Sequence, residues 1–381
     1  MKMIYPATAM DHSNPLSNKN LIGNYIIKHF ERQGVKVEIY GANEGIEKYY
    51  FKAKKLIIQK ISGKNHLRHR EPNLLKSLAG KISDRINHSD ADFIFCFGTI
   101  PLAYLETDKP IFLISDATFR NLFNFYEEYS NLTNSTILNS DEIERLAFNK
   151  ARKIFLPSEW AIQSAINDYN VPKEKLVRIP LGANIESEIT EQEIFNSIAN
   201  RKFDTLRLLI IGKYWLRKGG DIAVRINQEI NRRGIKSILT VIGMIPENLQ
   251  NYNNIEVIPF LDKSKKEDLA QFDRIFKDTH FLIHSARYEI FAHVILEANG
   301  FGVPVICSHT GGLSSIIQNN SNGFLVDFAT NPMLAADIII DSFQNQDNYH
   351  QLAMQSYARF KSEFNWELII SKIINIIRDN L

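Results

Sequence analysis

Short apolar runs rich in β-branched and aromatic residues alternate with longer amphipathic segments along most of this chain, and that alternation constrains its fold more than any other feature. It is the pattern of βα units, and so of an α/β protein built on mainly parallel sheet. In the first half the runs predict strands at Met3–Tyr5, Val35–Tyr40, Phe93–Phe97, Ile111–Ser115, Lys153–Leu156 and Val177–Ile179. A polar, acidic stretch from Glu186 to Asn200 then interrupts the pattern. It restarts with strands expected at Leu206–Ile211, Ser237–Ile242, Glu256–Ile258, Phe281–His284, Val303–Cys307 and Gly323–Val326, and helices near Gly219–Arg233, Lys265–Lys277 and Phe291–Asn299. Three further helical patterns end in Trp366 to Leu381, whose Leu and Ile residues form a stripe wide enough to need a docking surface.

A chain of 381 residues accommodates two such domains. We expect a first domain over 1–183, a linker over 184–204, a second domain over 205–364 and a terminal helix over 365–381. Both halves read as doubly wound, Rossmann-like domains whose strand carboxyl ends face a shared cleft, with Gly182 to Asn184 as the hinge. The net charge of +2 gives no global signal for nucleic acid. Cys96 and Cys307 each lie in an apolar run and read as buried, reduced thiols. No window approaches the ~20 apolar residues of a membrane helix, and Met1 to Pro6 is too short for a signal-peptide core, so a cytoplasmic location is expected.

Absent motifs narrow the chemistry. No GxGxxG follows a strand, and none of the Gly-Lys pairs opens onto Ser or Thr as a Walker loop does, which argues against dinucleotide oxidoreductases and P-loop ATPases. No His, Cys and carboxylate cluster has zinc-like spacing, so neither a metal nor another cofactor is expected. The strongest positive signal runs from Ser285 to Cys307 and on to Thr310-Gly311-Gly312. Glu289 closes a strand-to-helix loop, and the amides of Ile290, Phe291 and Ala292 would then lie at a helix N-terminus, a place suited to a diphosphate. Glu297 follows eight residues later. On a helix that is about 12 Å, against the ~5 Å between the carboxyl pair of a retaining glycosidase, so the two glutamates have separate tasks.

Glu289 and Glu297, the Gly302-Val-Pro-Val305 run and the Gly311-Gly312 pair together resemble the donor-site signature of GT-B-type retaining glycosyltransferases of family four, the glycosyl transferases group one. The resemblance implies that Glu289 contacts hydroxyls of the donor sugar and that Glu297 binds the nucleotide ribose; the alternative is a pair of solvated helix glutamates. A second element, Gly212-Lys213 through Lys218-Gly219, resembles the family's diphosphate-binding loop, with Lys218 matching its lysine. Lys213 stands where arginine is usual, so a planar fork becomes a point charge. Leu156 to Ala165 and Ile179 to Asn184 resemble the end of the first domain in part of the family, and Trp366 fits its C-terminal helix, which packs back on that domain.

This chain departs from the family at several points. The glycine-rich loop expected near the donor phosphates is represented by Pro15 to Lys19, without glycine until Gly23. Ala292 replaces a frequent glycine, Ser315 a frequent glutamate, and Ser115-Asp116 a common His-Asp pair. Asp116 either contacts sugar or acceptor or caps the following helix. Asp90-Ala-Asp92 has the spacing of the metal-binding DxD of other glycosyltransferases but opens directly onto a strand.

From Lys48 to Arg85 eleven Lys and Arg residues face only Glu71 and Asp84, leaving the rest of the chain acidic, with 34 basic residues against 41 acidic ones. Such a run suits anionic lipid headgroups or a phosphate-bearing acceptor, or is simply a solvated helical face. Its aromatics cluster at one end, unlike a nucleic-acid stacking surface, and no nucleic-acid partner is expected. The resemblance implies a retaining, metal-independent hexosyltransferase that moves a sugar from a nucleotide-diphosphate donor to a glycan or lipid-linked acceptor, in cell-surface polysaccharide or glycoconjugate synthesis. A nucleotide-sugar hydrolase or epimerase, or a non-catalytic nucleotide-sugar-binding subunit, would share these residues.

Overall fold

The computed structural model describes residues 1–8, 21–43, 45–245 and 254–381. It divides into two compact units, Met1–Leu181 with Trp366–Leu381, and Gly182–Asn365. The first holds strands β1 (Lys2–Thr8), β2 (Lys36–Ala42), β3 (Phe93–Phe97), β4 (Ile111–Ile114), β5 (Ala151–Leu156) and β6 (Leu176–Arg178). They form one sheet in the order β2-β1-β3-β4-β5-β6, parallel at every pairing. The second holds β7 (Leu206–Ile211), β8 (Ser237–Ile242), β9 (Ile255–Ile258), β10 (Phe281–His284), β11 (Val305–Ser308) and β12 (Gly323–Val326). Its sheet, also parallel throughout, runs β9-β8-β7-β10-β11-β12, which is the 3-2-1-4-5-6 order of dinucleotide-binding folds.

Each expected strand is present, with β3, β7, β8, β10 and β12 at the expected residues. The reason is burial: β3, β4, β10 and β11 are covered at every position, so β3 and β4 are unbroken apolar runs and β10 and β11 are apolar up to a closing His284 and Ser308, whereas the edge strands β2 and β9 are partly exposed. Cys96 and Cys307 are both buried thiols.

Two expectations about helices change. Residues 184–204, read as a linker, contain the helix Glu191–Ala199. Thr190 and Glu193 close a capping box at its start, and Ile194 and Ile198 are buried within the second unit. The helix expected from Phe291 begins at His293, because Ala292 is extended and the Ile290 carbonyl accepts the Gly312 N–H at 3.1 Å. The stretch Gly182 to Asn184 is bonded into the second unit, with the Ala183 N–H donating to the Phe364 carbonyl at 2.9 Å.

The terminal helix Trp366–Arg378 buries Trp366, Ile369, Ile370, Ile373, Ile374 and Ile377. It belongs to the first unit, where Trp366 stacks on Tyr25 of helix Leu21–Arg32 with ring centroids 6.2 Å apart. That helix is the docking surface the apolar stripe requires.

Candidate functional site

In the second unit the strand order reverses between β7 and β10, and ligands of doubly wound sheets bind at the carboxyl ends of such a pair. The loops leaving those ends are tied to each other. Gly219 has φ +72°, and a Cβ there would lie 2.0 Å from the Ser285 carbonyl oxygen, so glycine alone permits the approach. Ser285 Oγ donates to the Gly219 carbonyl at 2.8 Å, and the Arg287 N–H donates to the Arg217 carbonyl at 2.9 Å. The Arg287 guanidinium then grips Asp221 with two bonds of 2.8 Å, a planar fork on a carboxylate. A Cβ on Gly212 would meet Lys218 Cγ at 2.6 Å, so this glycine leaves room for the lysine stem.

Lys218 Nζ donates to Glu289 Oε2. The same oxygen lies 3.7 Å from Arg217 Nη1 and 3.6 Å from His284 Nε2. Glu289 is only 6% exposed. Burial alone would raise its carboxyl, but His284 and the Lys218 ammonium outweigh burial and hold it down at about 2. Burial also lowers the His284 imidazole, favouring its neutral form. The result is a carboxylate that stays ionised at neutral pH beside the Lys218 and Arg217 cations, in a strand-to-helix loop. Such a group accepts hydrogen bonds from hydroxyls, while Lys218 can exchange it for a phosphate.

Glu297 lies inside helix His293–Gly300 and is equally buried. Lys263 Nζ donates to its Oε1 at 2.8 Å and to the Asn184 carbonyl at 3.2 Å, while lying 4.3 Å over the Phe272 ring. His293 opens the helix with Nδ1 3.1 Å from the Gly182 carbonyl, and burial lowers its pKa as well. Gly311 takes φ +53°, and Gly312 is held by its bond to Ile290. Lys213 is exposed, and no ion pair joins it to the described residues. Phe291 and Ala292 are buried in the loop before the helix, so the amides of its first turn come from His293 onward.

Gly212, Lys218, Glu289, Ile290, Phe291, Ala292, Glu297, Gly311 and Gly312 therefore all belong to the second unit, along with Lys213, whereas Asp116 follows β4 in the first. The helix after Asp116 is capped by Thr118, whose side chain accepts from Asn121 N, so Asp116 is not its cap. Asp92 Oδ2 accepts the Lys2 backbone N–H at 2.7 Å and Asp90 pairs with Lys2 Nζ, so both carboxylates are engaged at the start of β1. Pro15 to Lys19 lies outside the described residues. Sequence reasoning missed Lys263, His284, His293 and the Arg287–Asp221 pair. His284 and Arg287 flank Ser285 at the end of β10 and could have been found as polar residues closing a buried strand. Lys263 reaches Glu297 only through tertiary packing, which no local spacing encodes.

Residues 192–359 match the family described as glycosyl transferases group 1. A probable sucrose-phosphate synthase of Thermosipho melanesiensis is 24% identical over 233 residues, spanning 58% of this chain and 51% of that protein. The chain spans about half the length, or less, of the curated relatives it matches first. Among solved structures, a sucrose-phosphate synthase from Thermosynechococcus elongatus superposes with a TM-score of 0.70 at 15% identity, covering 100% of this chain and 98% of that one. Anabaena HepE in complex with UDP-glucose gives a TM-score of 0.62 at 14% identity with complete coverage of both chains. These likenesses show the fold: two Rossmann-like halves of the GT-B type.

Proposed function

We propose that this chain, which carries a group 1 glycosyl transferase domain on a GT-B fold, transfers a sugar from a nucleotide diphosphate to a glycan or lipid-linked acceptor with retention of configuration. The observation that supports the reading most is the Lys218–Glu289 pair at the reversal of strand order, on loops that cannot separate without breaking the Gly219–Ser285 contact. In this reading an incoming diphosphate competes with Glu289 for Lys218 and draws in Lys213. The first-turn amides of helix His293–Gly300 add their partial positive charge. These groups stabilise charge that develops on the leaving diphosphate, and no metal is part of the proposal. Glu289, released, accepts hydrogen bonds from donor-sugar hydroxyls, and Glu297 with Lys263 addresses the nucleotide ribose. Asp116, after β4, is proposed to contact the sugar or acceptor.

The transfer itself follows a front-face course. The acceptor hydroxyl oxygen attacks the anomeric carbon as the carbon–phosphate oxygen bond breaks, and the leaving phosphate oxygen takes the hydroxyl proton. The donor is assigned as a nucleotide-diphosphate sugar because a buried carboxylate for hydroxyls and a lysine for phosphates occur at one site. The test is release of nucleoside diphosphate from UDP-, GDP- and ADP-sugars with and without glycan or lipid-linked acceptors, with the product anomer read by NMR. Acceptor-dependent release with retention supports the proposal. Equal release without acceptor indicates a hydrolase, and no release from any donor indicates a binding subunit.

A further inference from the structure

Helix Glu47–Ser62 turns two apolar faces in different directions. Phe51 faces inward and joins the core that contains Leu74, Leu75 and Leu78. Lys54 Nζ reaches Glu71 Oε1 at 2.6 Å, and that oxygen lies 2.7 Å from His66 Nε2. These contacts fix the helix to the first unit. The other face is bare: Ile46, Tyr49, Tyr50, Leu56, Ile57 and Ile61 are each between 57% and 87% exposed. At ~100° per residue these six, with Ala53, fall within an arc of roughly 140° and extend about 22 Å along the axis. Single exposed apolar residues are ordinary, but a continuous stripe of this size marks an interaction surface.

Lysines border the stripe. Lys48, Lys52 and Lys55 share the flank beside Leu56 and Tyr49, and Lys60 rises within the stripe, all four exposed. Among the described residues none of these four forms an ion pair. We infer that this face docks the chain on an anionic lipid bilayer, the stripe entering the boundary between headgroups and acyl chains while the lysines meet headgroup phosphates. Charge complementarity selects this occupant. A second copy meeting the face symmetrically would bury the Lys60 ammonium of each copy in the apolar seam, and a polyanion in water would leave the stripe exposed. The inference rests on the surface of this helix and not on the donor reading.

The experiment is cosedimentation of the full chain with vesicles of phosphatidylcholine alone or with about 30% phosphatidylglycerol. Binding to the anionic vesicles alone is expected, weakening as salt rises. The triple variant Leu56→Ser, Ile57→Ser, Ile61→Ser should lower partitioning at least about tenfold with unchanged melting temperature, since its sites are exposed. Lys52→Glu with Lys55→Glu should lower it to a similar extent at low salt, and a Tyr50→Trp reporter should shift to the blue on anionic vesicles. Three results would overturn the inference: no sedimentation with anionic vesicles, sedimentation that the triple variant retains, or a solution dimer that the triple variant dissolves. Donor-induced stabilisation measured on the same variants keeps failure here distinct from failure of the proposed activity.

Discussion

Glu289 illustrates how opposed forces at a single side chain set its chemistry. Its burial favours the neutral acid, and the adjacent His284 and Lys218 favour the anion and win, bringing the carboxyl from 4.5 to about 2. Because the folded value is depressed, the stabilisation is full above about pH 4.5 and is lost as the pH falls toward 2. Glu289→Gln, which strands Lys218 without its partner, is therefore expected to lower stability near pH 7 by about 3 kcal/mol. The difference from the parent protein should shrink between pH 4.5 and 2, as urea unfolding at several pH values would show. Function at the same scale is tested by Lys218→Ala and Glu297→Ala, each expected to weaken donor binding or turnover by about tenfold or more in a folded protein. Parent-level rates in both would remove these residues from the site.

Strands and helices were unequally legible in the sequence. The buried strands announced themselves because both faces are covered, and β3 or β4 can be read straight from an uninterrupted apolar run. Helix starts were harder. His293 opens its helix two residues late because Ile290 is engaged by Gly312, a bond between segments that local periodicity cannot register. The helix Glu191–Ala199 carried a legible Thr190/Glu193 capping box, yet its short acidic pattern read as linker. In helix Glu47–Ser62 the lysine count was visible, whereas the exposed stripe is interleaved with those lysines and appears only once one face is known to be covered by the fold. At the element scale the glycine at the loop junction makes the sharpest prediction. Gly219→Ala forces a side chain into the Ser285 carbonyl at a positive φ, so the loops of β7 and β10 must part. A loss of about 2 kcal/mol or more in stability, with donor affinity falling in parallel, is expected from unfolding and binding measurements on that variant.

Across the whole molecule, the first unit is assembled from both ends of the chain. Removing Trp366–Leu381 uncovers helix Leu21–Arg32 and takes six buried side chains from that unit. At roughly 1.5–3 kcal/mol for each such residue, the loss is about as large as the whole stability of an ordinary domain. Truncation should abolish the first unit's cooperative unfolding transition in calorimetry, and a truncated chain with an unchanged transition would contradict the packing described above. The second unit is where sequence and fold speak together, since the group 1 match spans 192–359 and the proposed site follows β7 and β10.

The first measurement should be a thermal-shift titration of the full chain with UDP-, GDP- and ADP-sugars, with and without EDTA, alongside Lys218→Ala. At a hundredfold excess over Kd a donor contributes about 2.7 kcal/mol, which raises the melting temperature of a domain of this size by roughly 5–10 °C. One nucleotide class should give that shift, EDTA should not reduce it, and Lys218→Ala should largely remove it. A folded protein whose melting temperature responds to no donor, or whose response survives Lys218→Ala unchanged, would contradict the assignment of the site.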